Sequence, residues 1–260
     1  MHHPSLRGRC PRRALIAWRL DPVVARRLVP APLRPKLLQG AAIGAVDCLR
    51  LERLRPRLMP PALGLSMELC AHIIAVEWVA DGVRRDGLYV LRRDVEVRGL
   101  GRAAGLLLPG NPQPAHIRVQ PEVAGLQLAC HSLDGRSQID VGGQVSEAWI
   151  QSTLFGDAAH MLRVLGNRSG GFLAFDEAGH GSLVELDTKP ERAEVLALQR
   201  AHSSLFEGEL VPKGAAIPDA ALLLRDLVCV WRSQGRVLRA ERPSPVAGTN
   251  PEGLREPSPA

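Results

Sequence analysis

Ten stretches of this chain alternate apolar and polar residues or are rich in β-formers, and only one long stretch carries helical periodicity. The β-type stretches are residues 41–54, 68–79, 87–97, 115–119, 126–132, 138–141, 171–175, 182–186, 195–203 and 220–231. A period of two places alternate side chains on one face of a strand, so these runs predict strands with a buried face. Asp134-Gly135, between two of them, reads as a type I′ hairpin turn, which needs positive φ at both central residues. The helical stretch is 153–165. Leu154, Ala158, Met161, Leu162 and Leu165 share a face there, with Asp157 near the start, Arg163 near the end and Gly166 placed to cap it. A second, shorter helix follows Asp21, an N-cap residue with Pro22 at the first helical position. Strands joined as hairpins and outnumbering helices predict an α+β, mostly β, barrel-like fold.

A chain of 260 residues with 45% hydrophobic content can bury a large core in one domain. Residues 1–11 read as a basic, flexible lead-in, 12–239 as a single domain, and 240–260 as a Pro-rich disordered tail with few apolar residues. The 33 basic residues against 27 acidic ones give a net charge of +6, yet only Lys36, Lys189 and Lys213 are lysines. Basic residues interspersed with acids, and 3% aromatics, argue against a nucleic-acid partner. Cys10, Cys48, Cys70, Cys130 and Cys229 are odd in number and include no C-x-x-C. That pattern predicts reduced thiols in a cytoplasmic protein. No apolar run reaches the ~20 residues of a membrane span, so no membrane association is expected.

Three motifs invite a functional reading that the surrounding residues oppose. Gly99-Leu100-Gly101-Arg102-Ala103-Ala104 matches a dinucleotide fingerprint in form, but Pro109, Pro112 and Pro114 truncate the helix that must follow. Gly64-Leu65-Ser66-Met67-Glu68 resembles a nucleophile elbow without its closing glycine. The histidines never occur as H-x-H or H-E-x-x-H, so no metal is expected, and no cofactor.

Charged residues on otherwise apolar strand faces are more informative. Glu68 and His72 alternate with Cys70, Ile74, Val76 and Trp78; Arg93 lies among Tyr89, Leu91 and Val95; Arg225 lies among Leu223, Leu227 and Cys229. A charge on such a face must be paired or must line a polar cavity, because burying it alone is costly. Either these residues are structural ion pairs, or they line a barrel interior and bind a small anion, for which the arginine fork suits a carboxylate.

The order of motifs over about 17–234 resembles the acetoacetate decarboxylase-like superfamily, and most of all its uncharacterised bacterial branch of unknown function. The carrying pieces are the Asp21-Pro22 helix with Leu28-Val29-Pro30-Ala31-Pro32, then Arg55-Pro56, Pro60-Pro61 and Gly64-Leu65-Ser66. Asp86-Gly87-Leu88-Tyr89, Leu108-Pro109-Gly110 and Pro218-Asp219-Ala220 complete the series. The resemblance implies a cone-like antiparallel β-barrel with a few outer helices and a ligand cavity inside. In the decarboxylases a lysine forms a Schiff base with the keto acid, its pKa depressed by a second lysine; this enzyme is a standard example of such activation. The matching place here is Pro109-Gly110-Asn111, which has no amine. The expectation is a non-decarboxylating relative that binds a small anionic carboxylate or polar metabolite, with Glu68, His72, Arg93, Arg225 and Asn111 as ligand-binding candidates. Two other readings stand beside it: a lyase or hydrolase using His72 or Glu68 as general base, and a non-catalytic scaffold. A homo-oligomer is compatible with any of them.

Overall fold

The computed structural model describes residues 5–96, 112–122, 124–166, 171–176, 179–189, 192–208 and 211–239. The Gly99–Ala104 motif, Asn111 with Pro109-Gly110, and the 240–260 tail lie outside them. In chain order the elements are β1 (Leu6–Leu20), α1 (Pro22–Leu28), β2 (Arg34–Pro35), β3 (Leu37–Leu38), β4 (Ala41–Pro56), β5 (Leu65–Ala80) and β6 (Val83–Glu96). Then come β7 (Gln113–Glu122), β8 (Gly125–Ser132), β9 (Gln138–Ser146), α2 (Ala158–Leu165), β10 (Phe172–Phe175), β11 (His180–Lys189), β12 (Arg192–Ser203), α3 (Ser204–Glu207) and β13 (Ala216–Arg239). The architecture is mostly β with a few helices, as the periodicity predicts.

The sheet closes twice. β5–β6 pairing completes a nine-strand ring in the order β6-β7-β8-β9-β12-β13-β1-β4-β5. β11–β13 pairing completes a seven-strand ring, β11-β10-β6-β5-β4-β1-β13, that shares five strands with the first. Closure leaves those strands without unpaired edges. It also explains why β4 and β5 are apolar almost throughout: their two faces feed two cores. Met67, Leu69, Ala71 and Ile73 face the seven-strand core, which α2 covers with Met161 and Leu165. Cys70, Ile74 and Val76 face the other core, together with Ala25 of α1 and Phe206 of α3.

Three local expectations change. β1 begins at Leu6, inside the stretch read as a flexible lead-in, and pairs with both β4 and β13. Leu6 and Cys10 are buried while Arg7 and Arg9 between them are exposed, so a basic composition conceals a period-two strand. The hairpin at Asp134 is real, but only Gly135 has positive φ (71°). The Gly135 N–H donates to the Ser132 carbonyl within a five-residue loop, 133–137, so the turn is not type I′. Positive φ at both central residues occurs instead at Asp81-Gly82 and Gln39-Gly40, which join β5 to β6 and β3 to β4. Finally, α2 starts at Ala158 because the Asp157 carboxylate accepts the His160 N–H and caps it there. Residues 153–156 form a turn that still buries Leu154 and Phe155 in the same core.

Candidate functional site

Strand register gathers charge into one row. Glu68 on β5 lies opposite Arg50 on β4, and Arg50 opposite Arg12 on β1. Arg12 lies opposite Arg225 on β13, which lies opposite Arg192 on β12. Like charges directly opposite each other destabilise a sheet, so four arginines in a row require carboxylates between them. Glu68 supplies one: the Arg12 Nη2 donates to its Oε2 at 2.6 Å, and the Arg50 Nη1 is 3.7 Å from its Oε1. Glu194 supplies another, accepting from Arg225 Nε at 2.6 Å and lying 2.8 Å from Arg192 Nη2.

Glu68 is the chemically distinctive member. Burial pushes its carboxyl pKa up, and that effect exceeds the downward pull of Arg12 and Arg50. It lines a cleft of about 440 Å³ together with Arg50, Ser66, Glu96 and Arg118 on the polar side and Val95 and Ile117 on the apolar side. Small-ligand sites are concave, partly apolar and equipped with a few convergent polar groups, and this cleft has that composition. The Ser66 hydroxyl accepts the Arg53 N–H at 3.2 Å.

Of the other residues singled out in the sequence, Arg225 joins the row through Glu194, whereas His72 and Arg93 do not. His72 shares a strand face with Glu68 but is fully buried in the nine-strand core. Its Nε2 lies 2.9 Å from the Ser203 Oγ, and its ring meets Phe206 edge-on at 5.5 Å. Burial, assisted by the Arg92 charge, lowers its pKa to about 3. Arg93 is on the opposite face of the sheet. The register passes from His72↔Arg92 to Ile73↔Val90, leaving Leu91 as a bulge residue. That one extra residue breaks the face expected to hold Tyr89, Leu91, Arg93 and Val95. Tyr89 packs with the nine-strand core, while Arg93 and Val95 turn toward the seven-strand one.

There Arg93 meets a second group of charges. Arg13 donates from Nε and Nη2 to the two Asp47 oxygens, both at 2.9 Å, and both residues are fully buried. The Arg13 guanidinium also lies 5.8 Å from the Phe172 ring centroid. Burial lowers the Arg93 pKa to about 10 against the opposing pull of Asp47, so it remains a cation at neutral pH.

Sequence reasoning missed Arg12, Arg50 and Glu194. Arg12 carries a weak signal, since with Arg13 it precedes the apolar run 14–18, but that run is too short to mark a strand by alternation. Arg50 and Glu194 acquire meaning only from register, which no single strand carries.

No protein family model matches this sequence, and no curated protein does. Solved structures do match. An acetoacetate decarboxylase-like enzyme from Sphingomonas wittichii RW1 superposes with a TM-score of 0.62 at 14% identity, covering 93% of this chain and 95% of its own. The fold is that of the acetoacetate decarboxylase-like proteins. Acetoacetate decarboxylase from Legionella pneumophila gives a TM-score of 0.58 at 12% identity, covering 92% of this chain and 88% of its own. The enduracididine biosynthesis enzyme MppR with HEPES buffer bound gives 0.56 at 15%, covering 92% and 89%. Identities this low establish the acetoacetate decarboxylase-like fold and leave the chemistry to this chain's own residues. Among the described residues, no helix is long and apolar enough to cross a membrane.

Proposed function

We propose that this protein binds a small carboxylate at the mouth of the nine-strand ring, on the Arg12–Glu68–Arg50 cluster, without Schiff-base decarboxylation. The observation that carries this reading is the placement of Glu68, held by two arginines, against a cleft of about 440 Å³. Arg50 makes only longer contacts, 3.7 Å to Glu68 and 3.5 Å to Glu52, while Arg12 keeps the short contact to Glu68, so the Arg50 guanidinium can turn toward a ligand. A neighbour of the same fold, MppR, is described in complex with pyruvate, which makes keto acids sensible probes.

The absence of a lysine pair rests on the sequence: its three lysines are far apart. Lys36 is paired with Asp86, and Lys213 is exposed in the turn before β13. We place the chain, on its motif order, in the uncharacterised bacterial branch of the superfamily, as one cytoplasmic domain. Five buried free cysteines are in keeping with a reducing compartment. A second reading, general acid–base chemistry by Glu68, is favoured by the raised pKa of that carboxyl.

A thermal-shift titration with pyruvate, acetoacetate and butyrate tests the binding claim. A ligand at 100 times its dissociation constant adds about 2.7 kcal/mol, a rise of roughly 5–10 °C in melting temperature for a domain of this size. The rise should disappear in Arg50→Ala. No shift with any carboxylate, in a protein that melts cooperatively, would refute it.

A further inference from the structure

The loop between β4 and β5 presents apolar side chains to water on a fixed backbone. Residues 57–63 are all exposed, Leu58 at 97% and Leu63 at 64%, with Met59 beside them. The Met59 N–H donates to the Pro56 carbonyl at 3.0 Å. A short 3-10 turn over Pro61–Leu63 carries the Leu63 N–H to the Pro60 carbonyl at 3.1 Å. The Arg55 guanidinium donates to the Met59 and Arg53 carbonyls, both at 2.9 Å. Gly64 closes the base, so near the Arg53 backbone that a Cβ there would lie 2.6 Å from it. Apolar residues grouped at one tip and rimmed by charge mark an interaction surface.

The rim is basic. Arg7 of β1 lies directly opposite Arg55 of β4, and Arg9 shares a strand face with Arg7. Segments 5–9 and 52–63 hold Arg7, Arg9, Arg53, Arg55 and Arg57 against a single carboxylate, Glu52, which contacts Arg50 at 3.5 Å. Among the described residues none of these five arginines has a carboxylate partner, in contrast to the row held by Glu68 and Glu194. Like charges directly opposite each other destabilise a sheet, and an external anion relieves that. We propose that this end of the molecule docks on an anionic lipid surface, with Leu58, Met59 and Leu63 in the interfacial layer and the arginines on the headgroups. The apolar tip selects among polyanions. A nucleic acid would pair the arginines but leave the leucines in water, and 3% aromatics offer little for base stacking. A second copy joined here by a twofold axis would set arginine against arginine. A bilayer interface meets both halves of the surface and needs no spanning segment.

Flotation of the full chain with vesicles tests this, comparing pure phosphatidylcholine with equal parts phosphatidylcholine and phosphatidylglycerol. Affinity for the mixed vesicles should be at least about tenfold higher and should fall as salt is raised. Leu58→Gln with Leu63→Gln should lower it about tenfold, and Arg7→Gln with Arg57→Gln by a similar factor. All four positions are exposed, and unaltered melting curves serve as the folding control. No preference for the mixed vesicles would overturn the proposal. So would a leucine variant that binds them as well as wild type, or polyglutamate bound as tightly as the vesicles. Either of those results would mark an acidic-protein or general anion surface instead.

Discussion

His72 shows how a residue that suggests chemistry in the sequence can be structural in the fold. Its ring is enclosed by Phe206 and the Ser203 hydroxyl, and its Nδ1 has no hydrogen-bond partner among the described residues. Burial holds its pKa near 3, below the ordinary value of 6.5, so the folded protein keeps it neutral while the unfolded chain protonates it as pH falls. The linkage is therefore stabilising above about pH 6.5 and is lost progressively from there toward pH 3. Between pH 7 and pH 5 this single residue should cost about 2 kcal/mol of stability. Denaturant melts of wild type and His72→Gln at the two pH values check this. The wild type should lose more stability than the variant, and equal losses would place the titration elsewhere. Arg93 teaches a related lesson. Its charge on an apolar face was legible in the sequence and its burial is real, yet a single bulge residue, Leu91, decides which core it enters. Nothing in the local pattern of β6 marks that bulge, because Leu91 is as apolar as its neighbours.

At the scale of elements, much of the fold could be read in advance where hydrophobic period and cap chemistry agree. Asp21-Pro22 starts α1 with the Asp21 carboxylate accepting the Val23 and Val24 N–H groups, as expected. All ten predicted strands exist, most of them longer than their apolar runs, because paired backbone continues past the buried stretch. β1 was lost for a physical reason: its first half alternates buried small or apolar residues with exposed arginines, and a net basic segment without large apolar residues looks unstructured. Its position between β4 and β13, in both rings, makes it costly to remove. Deleting residues through Cys10 strips Leu6 and Cys10 from the seven-strand core and leaves ladder groups of two strands unpaired. The expected loss is at least about 3 kcal/mol, or roughly 6–12 °C in melting temperature. Differential scanning calorimetry of the truncated chain checks it, and an unchanged transition would restore the flexible lead-in. Register, by contrast, was not legible. The charged row exists only because four pairings align Glu68, Arg50, Arg12, Arg225 and Arg192, and that alignment depends on irregularities between Arg9 and Arg12 and between Leu51 and Leu54 that no local pattern marks.

For the whole molecule, the double closure creates two interiors that share strands but differ in chemistry. The seven-strand interior buries Arg13 and Asp47 as a bidentate pair with Arg93 nearby, a pair whose mutual attraction is offset by the cost of taking both charges out of water. The mouth of the nine-strand ring is instead half-exposed, mixed in charge and open to a cleft. An acetoacetate decarboxylase-like fold thus carries, in this chain, an arginine–glutamate cluster beside a cleft. The binding proposed there needs no covalent step. The location of a bound carboxylate tests this most directly. A crystal of the protein soaked with pyruvate should show density in the cleft, within hydrogen-bond distance of the Arg50 guanidinium and beside Glu68. Density next to Arg93 in the seven-strand interior, or density continuous with a lysine Nζ, would contradict the account.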